Sequence, residues 1–230
     1  MKYAVDLHIH SALSPCADDD MTPNNIVNMA ILKGLDIISI TDHNSCDNVE
    51  AAMVAAGNDI LIVPGMEVQT REEVHLLCYF GKLEELLDFN LIIGQKMPHI
   101  PNNPSIFGNQ YIMDSMDNIV GQREGLLLIS VDMGIDEVTD EARKRGGVVV
   151  PAHVDRGSFS ILSQLGFIPP NLKFSTLEIE NFHSLDRLKL QGYNYIMSSD
   201  AHFLGDILER EMLIELDKIG VYDLLSSFRK

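Results

Sequence analysis

The 230-residue chain lacks any apolar run near the roughly 18 residues that a membrane-spanning helix needs. It also lacks an apolar signal region, because its first residues lead directly into a predicted strand. Cysteine is scarce, and the three residues Cys16, Cys46 and Cys78 form no disulfide pattern, which fits a reducing compartment. We therefore expect a cytoplasmic protein without membrane contact.

Basic residues are equally scarce. Lys and Arg total 17 against 34 Asp and Glu, which gives a formal net charge of −17. Such a surface repels long polyanions, so we expect no long nucleic acid as a partner. A small phosphorylated substrate fits only if bound divalent cations reverse the charge locally.

What is present is an alternation of short apolar, β-branched runs with helical patterns, which is typical of βα units. The sequence predicts seven strands, at 3–8, 36–41, 60–68, 74–80, 148–152, 176–180 and 195–198. Thr22 and Pro23 are the expected start of the first helix, and Lys33-Gly34 its end. No linker or internal repeat interrupts the pattern, so we expect a single domain over 1–230. Residues 206–218 fit either helix or strand.

The connection between the third and fourth predicted strands is short, because only residues 69–73 separate them. A parallel neighbour needs a crossover of about a dozen residues or more, so this pair is predicted to be antiparallel. That arrangement places His75 at the same end as Glu67. Farther along, the Pro- and Asn-rich segment 98–109 is either a lid or an ordinary surface loop.

Histidines and carboxylates recur where the predicted strands begin or end. Asp6, His8 and His10 alternate along the first strand and therefore share one of its faces. In a βα barrel, the strand ends at one pole converge on a single pocket. Imidazole and carboxylate ligands together suit Mn²⁺, Fe²⁺ or Zn²⁺. The other residues of this pattern are Asp42, His43, Glu67, His75, His153, Asp200 and His202.

Six short motifs resemble those of the PHP family, named for polymerase and histidinol phosphatase. They are Asp6-Leu-His-Ile-His-Ser11, Thr41-Asp-His43, Gly65-Met-Glu67, Val74-His-Leu-Leu77, Pro151-Ala-His153 and Ser199-Asp-Ala-His202. The resemblance extends from Asp6 to about Leu204 and is strongest to stand-alone phosphoesterases that act on nucleotide phosphates. It implies a distorted, TIM-like barrel of seven strands, the number predicted above.

The resemblance also implies up to three divalent cations. The first would be held by His8, His10, Glu67 and Asp200, and Glu67 would bridge to a second held by His75 and His153. The third would be held by Asp18, His43 and His202, although Asp19 or Asp20 could replace Asp18 in this acidic run. Asp6 and Asp42 are expected to orient ligand histidines.

Arg156 follows His153 closely and is our candidate for binding a substrate phosphate, since its guanidinium matches phosphate oxygens. The alternative is a surface arginine paired with a neighbouring acid. Arg123 is a weaker candidate of the same kind. We expect neither Cys16 nor Cys46 to contact a metal.

The resulting hypothesis is a metal-dependent phosphoesterase that hydrolyses a small-molecule phosphomonoester, such as a nucleotide 3′,5′-bisphosphate. A hydroxide shared between two cations would attack phosphorus. One alternative is a nuclease that trims the 5′ ends of short oligonucleotides. Another is a non-catalytic, metal-stabilised PHP module, in which some ligands would be missing.

Overall fold

The computed structural model describes residues 1–184 and 190–229 and shows a mixed α/β fold. In these residues no helix has both the length and the apolar character needed to cross a bilayer. The single-domain organisation and the cytoplasmic location stay predictions. The strands are β1 (Lys2–Ile9), β2 (Ile37–Ile40), β3 (Leu61–Ile62), β4 (Gly65–Gln69), β5 (His75–Tyr79), β6 (Tyr111–Met113), β7 (Ile119–Gln122), β8 (Val148–Pro151), β9 (Thr176–Ile179), β10 (Asn194–Met197) and β11 (Leu213–Glu215).

The first helix begins and ends close to where the sequence predicts it. Thr22 Oγ1 accepts a hydrogen bond from the Asn25 amide, Pro23 is the first helical residue, and Gly34 adopts a positive φ of 74° after the helix ends. The helices are α1 (Pro23–Leu32), α2 (Val49–Ala56), α3 (Leu83–Lys96), α4 (Pro104–Phe107), α5 (Ile135–Lys144), α6 (Ile161–Leu165) and α7 (Val221–Ser227).

The strands form small sheets. β1 pairs in parallel with β2 and antiparallel with β11, and β2 pairs in parallel with β3. β5 lies between β4 and β8, antiparallel to both. β9 and β10 are parallel, and β6 and β7 form a hairpin. Among the described residues none of these sheets closes on itself, so the predicted seven-stranded barrel is not confirmed.

Two differences from the predicted elements have clear physical causes. The predicted strand 60–68 is two strands, because Pro64 has no amide hydrogen to donate to a ladder and separates β3 from β4. The segment 98–109, predicted to be a lid or a surface loop, contains the short helix α4, and the unpredicted hairpin of β6 and β7 follows it. The antiparallel pairing of β4 with β5 is confirmed, with Gln69 opposite His75.

Apolar side chains pack on both faces of the sheets. Ile38 and Cys78 lie in a core that also contains buried residues of α1, α2 and α3, whereas Ile37 and Leu77 lie in a second core with Leu7. Successive residues on a strand point to opposite faces, so β2 and β5 contribute to both cores. Apolar packing on both faces therefore fixes the strands, and with them the positions of the residues at the strand ends.

Asp6 connects β1 to the chain after β10. Its buried carboxylate accepts hydrogen bonds from the Ser199 amide at 3.0 Å, the Ser199 hydroxyl at 2.6 Å and the Leu208 amide at 2.9 Å. None of these donors is an imidazole. Asp6 therefore positions the segment that carries Asp200 and His202.

We predict that Asp6→Ala lowers the free energy of unfolding by about 3 kcal/mol, because buried donors lose their acceptor. Chemical denaturation of the metal-free protein measures this change. The control is Asp59→Ala on the exposed surface, which should change the free energy by less than about 0.5 kcal/mol. Equal effects of the two substitutions would show that the Asp6 contacts contribute nothing specific.

Candidate metal centre

Glu67 lies at the centre of the site. It is fully buried on β4, and its carboxylate is surrounded by imidazoles that arrive from several strand ends. The distances from its oxygens to the nearest ring nitrogens are 2.8 Å for His43 and His75, 3.3 Å for His8, 3.4 Å for His153 and 3.6 Å for His10. The structure thus brings together residues that are distant in sequence.

Asp200 and His202 complete the cluster after β10. Asp200 Oδ1 lies 3.2 Å from His8 Nε2 and 3.0 Å from His10 Nε2, and the His202 ring stacks on His10 with centroids 4.4 Å apart. The described part of the chain contains three groups of candidate ligands, and within each the ligand atoms all lie within 4.8 Å of one another. The groups are His8, His10 and Asp200, then His43, Glu67 and His75, then His10, His43 and His202.

Hydrogen bonds on the outer side of the rings determine which nitrogen carries the proton. His8 Nδ1 lies 3.0 Å from the buried carboxylate of Glu178, which only accepts, so Nδ1–H donates and the Nε2 lone pair faces the cluster. His10 Nδ1 lies 3.0 Å from Ser14 Oγ, whose own proton is donated to Asp42 at 2.7 Å. His10 Nε2 consequently also presents a lone pair.

His202 is oriented in the same way, since its Nδ1–H donates to the Asp200 carbonyl at 2.7 Å and its Nε2 keeps a lone pair. His75 lies between two acceptors, with Nδ1 2.8 Å from Glu67 Oε1 and Nε2 3.4 Å from the Gln69 amide oxygen. His8 and His10 therefore turn acceptor nitrogens toward the acceptor oxygen of Asp200.

This arrangement fits divalent cations. Both Glu67 oxygens and both His153 ring nitrogens are buried without a hydrogen-bond partner, since the close contacts around Glu67 lack hydrogen-bond alignment. Buried acceptors left without donors are costly. A cation between the imidazole and carboxylate lone pairs removes that cost, and the mixed nitrogen and oxygen ligands suit Mn²⁺, Fe²⁺ or Zn²⁺.

The charged groups that pack around Glu67 and His8 also shift the pKa values of these two residues. Burial disfavours the charge on Glu67, but the imidazoles of His75, His8 and His43 outweigh it and hold the pKa of Glu67 well below its usual range. Burial also opposes protonation of His8, yet the carboxylates of Glu178, Asp200 and Glu67 raise its pKa well above the ordinary value. A proton on His8 therefore competes with metal binding.

Several residues at the site have a positive φ, which is uncommon outside glycine. The φ values are 49° at Asn44, 30° at His153, 56° at Phe159 and 50° at Asp200. Phe159 stacks its half-exposed ring on His75 with centroids 5.0 Å apart, and its carbonyl accepts from the His75 amide. Backbone strain of this kind concentrates at functional sites.

Most of the predicted site residues lie together in the structure, and the others do not join the cluster. The described structure gathers His8, His10, His43, Glu67, His75, His153, Asp200 and His202 in one place. The carboxylate of Asp18 is exposed, accepts from the Asp20 amide at 2.9 Å and belongs to none of the three groups. Asp42 reaches His10 only through Ser14. Arg156 Nη1 donates to Asp200 at 2.8 Å, and its Nε donates to Glu180 at 2.8 Å.

Sequence reasoning missed Glu178, Ser14 and the position of Cys16. Glu178 could have been noticed as an acid between two apolar residues of a short strand, because such a position is buried in a central sheet. Cys16 gives no sequence signal, yet it lies close enough to His43 and His202 for their imidazoles to act on its thiol. Burial opposes ionisation of that thiol, but the two imidazoles outweigh it and lower the pKa of Cys16 to about 7.

An α/β fold that gathers six histidines with the acids Glu67 and Asp200 at its strand ends defines a candidate polynuclear metal protein. The sequence model of the PHP domain matches residues 6–156, more than half of the chain. The chain therefore belongs to the PHP family, and the resemblance seen in its motifs is confirmed.

Known proteins are similar to this chain in sequence or in fold. An uncharacterized protein of Methanocaldococcus jannaschii is 25% identical over 163 residues, which are 71% of this chain and only 18% of that protein. The lesion-specific endonuclease EndoQ of Pyrococcus furiosus has a TM-score of 0.76 at 19% identity, over 100% of this chain and 56% of its own. A candidate metal-dependent phosphoesterase from Bifidobacterium adolescentis has a TM-score of 0.61 at 16% identity, over 97% and 94% of the two chains.

We predict that Glu178→Gln weakens metal binding by about 10- to 100-fold, because the amide no longer supplies a negative charge that orients and polarises His8. Titration calorimetry with Zn²⁺ measures the affinity. Glu50→Gln, on the exposed face of α2, is the matched control and should bind as the unaltered protein does. Unchanged affinity in the Glu178 variant would remove this residue from the metal centre.

Proposed function

We propose that the chain is a metal-dependent phosphoesterase that hydrolyses a phosphomonoester of a small molecule, most naturally a nucleotide such as a 3′,5′-bisphosphate. The observation that carries this proposal is the convergence of buried imidazole nitrogens on the buried carboxylate of Glu67. PHP-family membership supports it, as does the likeness in fold to proteins named as a phosphoesterase and an endonuclease.

The proposed cation-binding residues are those of the three groups of ligand atoms together with His153, divided among the cations as the family resemblance implies. His8, His10, Glu67 and Asp200 would hold one cation, Glu67 with His75 and His153 a second, and His43 with His202 a third. When bound, such cations neutralise charge on phosphate oxygens and make water acidic enough to act as a nucleophile at neutral pH.

The protein residues fix this arrangement before substrate arrives. Glu178 holds the Nδ1 proton of His8, and Ser14 receives that of His10, so neither ring can flip without losing a hydrogen bond. Pre-organisation of this kind removes the cost of reorganising charged groups during the reaction. Burial of Glu67 and His153 also limits the access of bulk water to the inner ligands.

Arg156 is the proposed phosphate-binding residue. About a third of its side chain is exposed, and its guanidinium contacts two carboxylates, those of Asp200 and Glu180. Glu180 is itself about half exposed, so a substrate phosphate could displace it and take over its hydrogen bonds. The net charge of −17 favours a small substrate over a long polyanion.

We also propose that the strands approximate the distorted barrel of this family. Two isolated parallel bridges support this interpretation, because they connect strands of different sheets next to the site. One joins Ile9 to Ala201, and the other joins His43 to Glu67. In this interpretation the small sheets are parts of one ring of strands, and the ring is interrupted where one sheet ends and the next begins.

A nuclease acting on short oligonucleotides is the second candidate. It is favoured by the likeness in fold to EndoQ, although that endonuclease is much longer than this chain. A non-catalytic PHP module is the third, and the complete set of clustered histidines argues against it. Turnover of a mononucleotide compared with its short oligomers separates the first two, because only binding of the oligomer should fall steeply with added salt.

We predict that Glu67→Gln lowers kcat/KM by at least about 10³-fold, since the loss of several kcal/mol of charge stabilisation corresponds to that factor. The assay is a panel of nucleotides, bisphosphates, sugar phosphates and short oligonucleotides, run with Mn²⁺ supplied. Glu84→Gln, exposed on α3, is the control and should keep full activity. Equal turnover by both variants would refute the metal-dependent mechanism.

For Arg156 we predict that Arg156→Ala raises KM for a phosphorylated substrate by roughly 10- to 100-fold, with a smaller effect on kcat. The converse substitution Glu180→Gln should lower KM, because the neutral amide competes less well with phosphate for the guanidinium. Steady-state kinetics of both variants, each with its metal content measured, tests the assignment. A large loss of bound metal in Arg156→Ala would instead make Arg156 a residue that positions Asp200.

A further inference from the structure

A cavity of about 410 Å³ lies at the start of β8, the end of that strand away from the metal centre. Val148 in its wall is the first residue of β8, whereas His153 follows the last, and five residues of extended chain span roughly 16 Å. None of the proposed metal ligands lines it. Its described lining contains no carboxylate, and the charged or hydroxyl side chains in it are Arg143, Lys173, Ser175 and Arg229. We call it the basic cavity.

The arginines of the basic cavity differ from the other described arginines in having no carboxylate partner. Arg143 Nη2 donates to the Lys173 carbonyl at 3.3 Å, and Arg229 Nη2 donates to the Gly146 carbonyl. Every other described arginine forms an ion pair with Asp or Glu, and these are Arg71, Arg123, Arg145, Arg156 and Arg210. In a chain with 34 acidic and 17 basic residues, the two guanidiniums without such a partner thus lie in one cavity.

Two neighbouring arginines of α5 show what the missing partner changes. Burial lowers the pKa of Arg143, and the carboxylate of Asp140 opposes this effect only in part. Burial acts in the same direction on Arg145, but the carboxylates of Glu141 and Asp88 outweigh it and raise the pKa. Arg143 therefore gives up part of its hydration without gaining the counter-charge that Arg145 has.

The three basic side chains belong to separate segments of the chain. Arg143 is in the last turn of α5, Lys173 follows a short 3₁₀ turn, and Arg229 follows α7. The guanidinium carbon of Arg143 lies 5.7 Å from the centroid of the Phe174 ring, and this stacking holds the group in place before any ligand binds. Like charges gathered in one cavity repel one another, so an anion bound between them would stabilise the arrangement.

We propose that the basic cavity binds a small phosphate-bearing anion, with Arg143, Lys173 and Arg229 as its cationic contacts. Guanidinium groups match phosphate oxygens in geometry, an ammonium adds a point charge, and the Ser175 hydroxyl can donate a further hydrogen bond. The volume is near the lower end of the range for small-molecule sites, which favours inorganic phosphate or a small phosphomonoester. The inference does not depend on the proposed phosphoesterase activity, because no proposed metal ligand takes part.

Nuclear magnetic resonance of the ¹⁵N-labelled, zinc-loaded full chain tests the proposal with inorganic phosphate as the probe. We expect the amide signals of Gly146, Ser175 and Arg229 to shift together and to saturate with one dissociation constant of about 1 mM or less. Phosphate bound at the metal centre would shift a different set, including the Ala201 amide. A parallel titration with phenylphosphonate, a non-hydrolysable stand-in for a phosphomonoester, shows which of the two ligands binds more tightly.

A double variant with Arg143→Gln and Arg229→Gln should weaken phosphate binding in the basic cavity by about 10-fold or more, because two charge-assisted contacts are lost. The matched control combines Arg71→Gln with Arg210→Gln. It removes the same total charge from exposed arginines that pair with carboxylates, and it should bind phosphate as the unaltered protein does. Circular dichroism and the zinc content show whether each variant is folded.

Two results would overturn the proposal. The first is an unaltered protein whose cavity amides do not shift, or shift without saturating, and this result needs no variant. The second is equal weakening in both double variants, which would show that only the total charge of the protein matters. Neither result would affect the proposal for the metal centre.

Discussion

The structure depends on one electrostatic constraint: too many acceptor atoms share one buried space. His8 and His10 turn the lone pairs of Nε2 toward Asp200 Oδ1, at 3.2 and 3.0 Å, beside the buried carboxylate of Glu67. A protein interior can tolerate such a contact only if a positive charge lies between the acceptors. In the absence of metal, protons serve that purpose, and the raised pKa of His8 is the consequence.

The rest of the fold keeps these acceptors from moving apart. Glu178 and Ser14 hold two rings from the outer side, and Asp6 fixes the segment that carries Asp200. The positive φ values at His153 and Asp200 store strain that the surrounding packing must offset. The strained residues at the site lower the stability of the fold, and packing in the two apolar cores offsets this loss. Such a relation between function and stability is common in proteins.

Much of the site could be predicted from sequence because strands alternate and short connections restrict topology. The spacing of His8 and His10 places both on one face, and the short connection 69–73 required an antiparallel pair that brings His75 beside Glu67. The outer contacts could not be predicted, because Glu178 lies 170 residues from His8 in sequence and nothing local links the two. Asp6 was expected to orient a histidine and instead accepts from Ser199.

The sequence by itself determined the ligand chemistry, the family and most strand positions, since side-chain type and periodicity are local properties. Only the tertiary structure decided that the Asp18 carboxylate faces solvent while the imidazoles of His43 and His202 lower the pKa of the Cys16 thiol. Both lie in one irregular loop, where no periodicity relates a residue to the direction of its side chain. Long-range packing of Gly108 on Pro15 helps to set that direction, and it is invisible until the chain is folded.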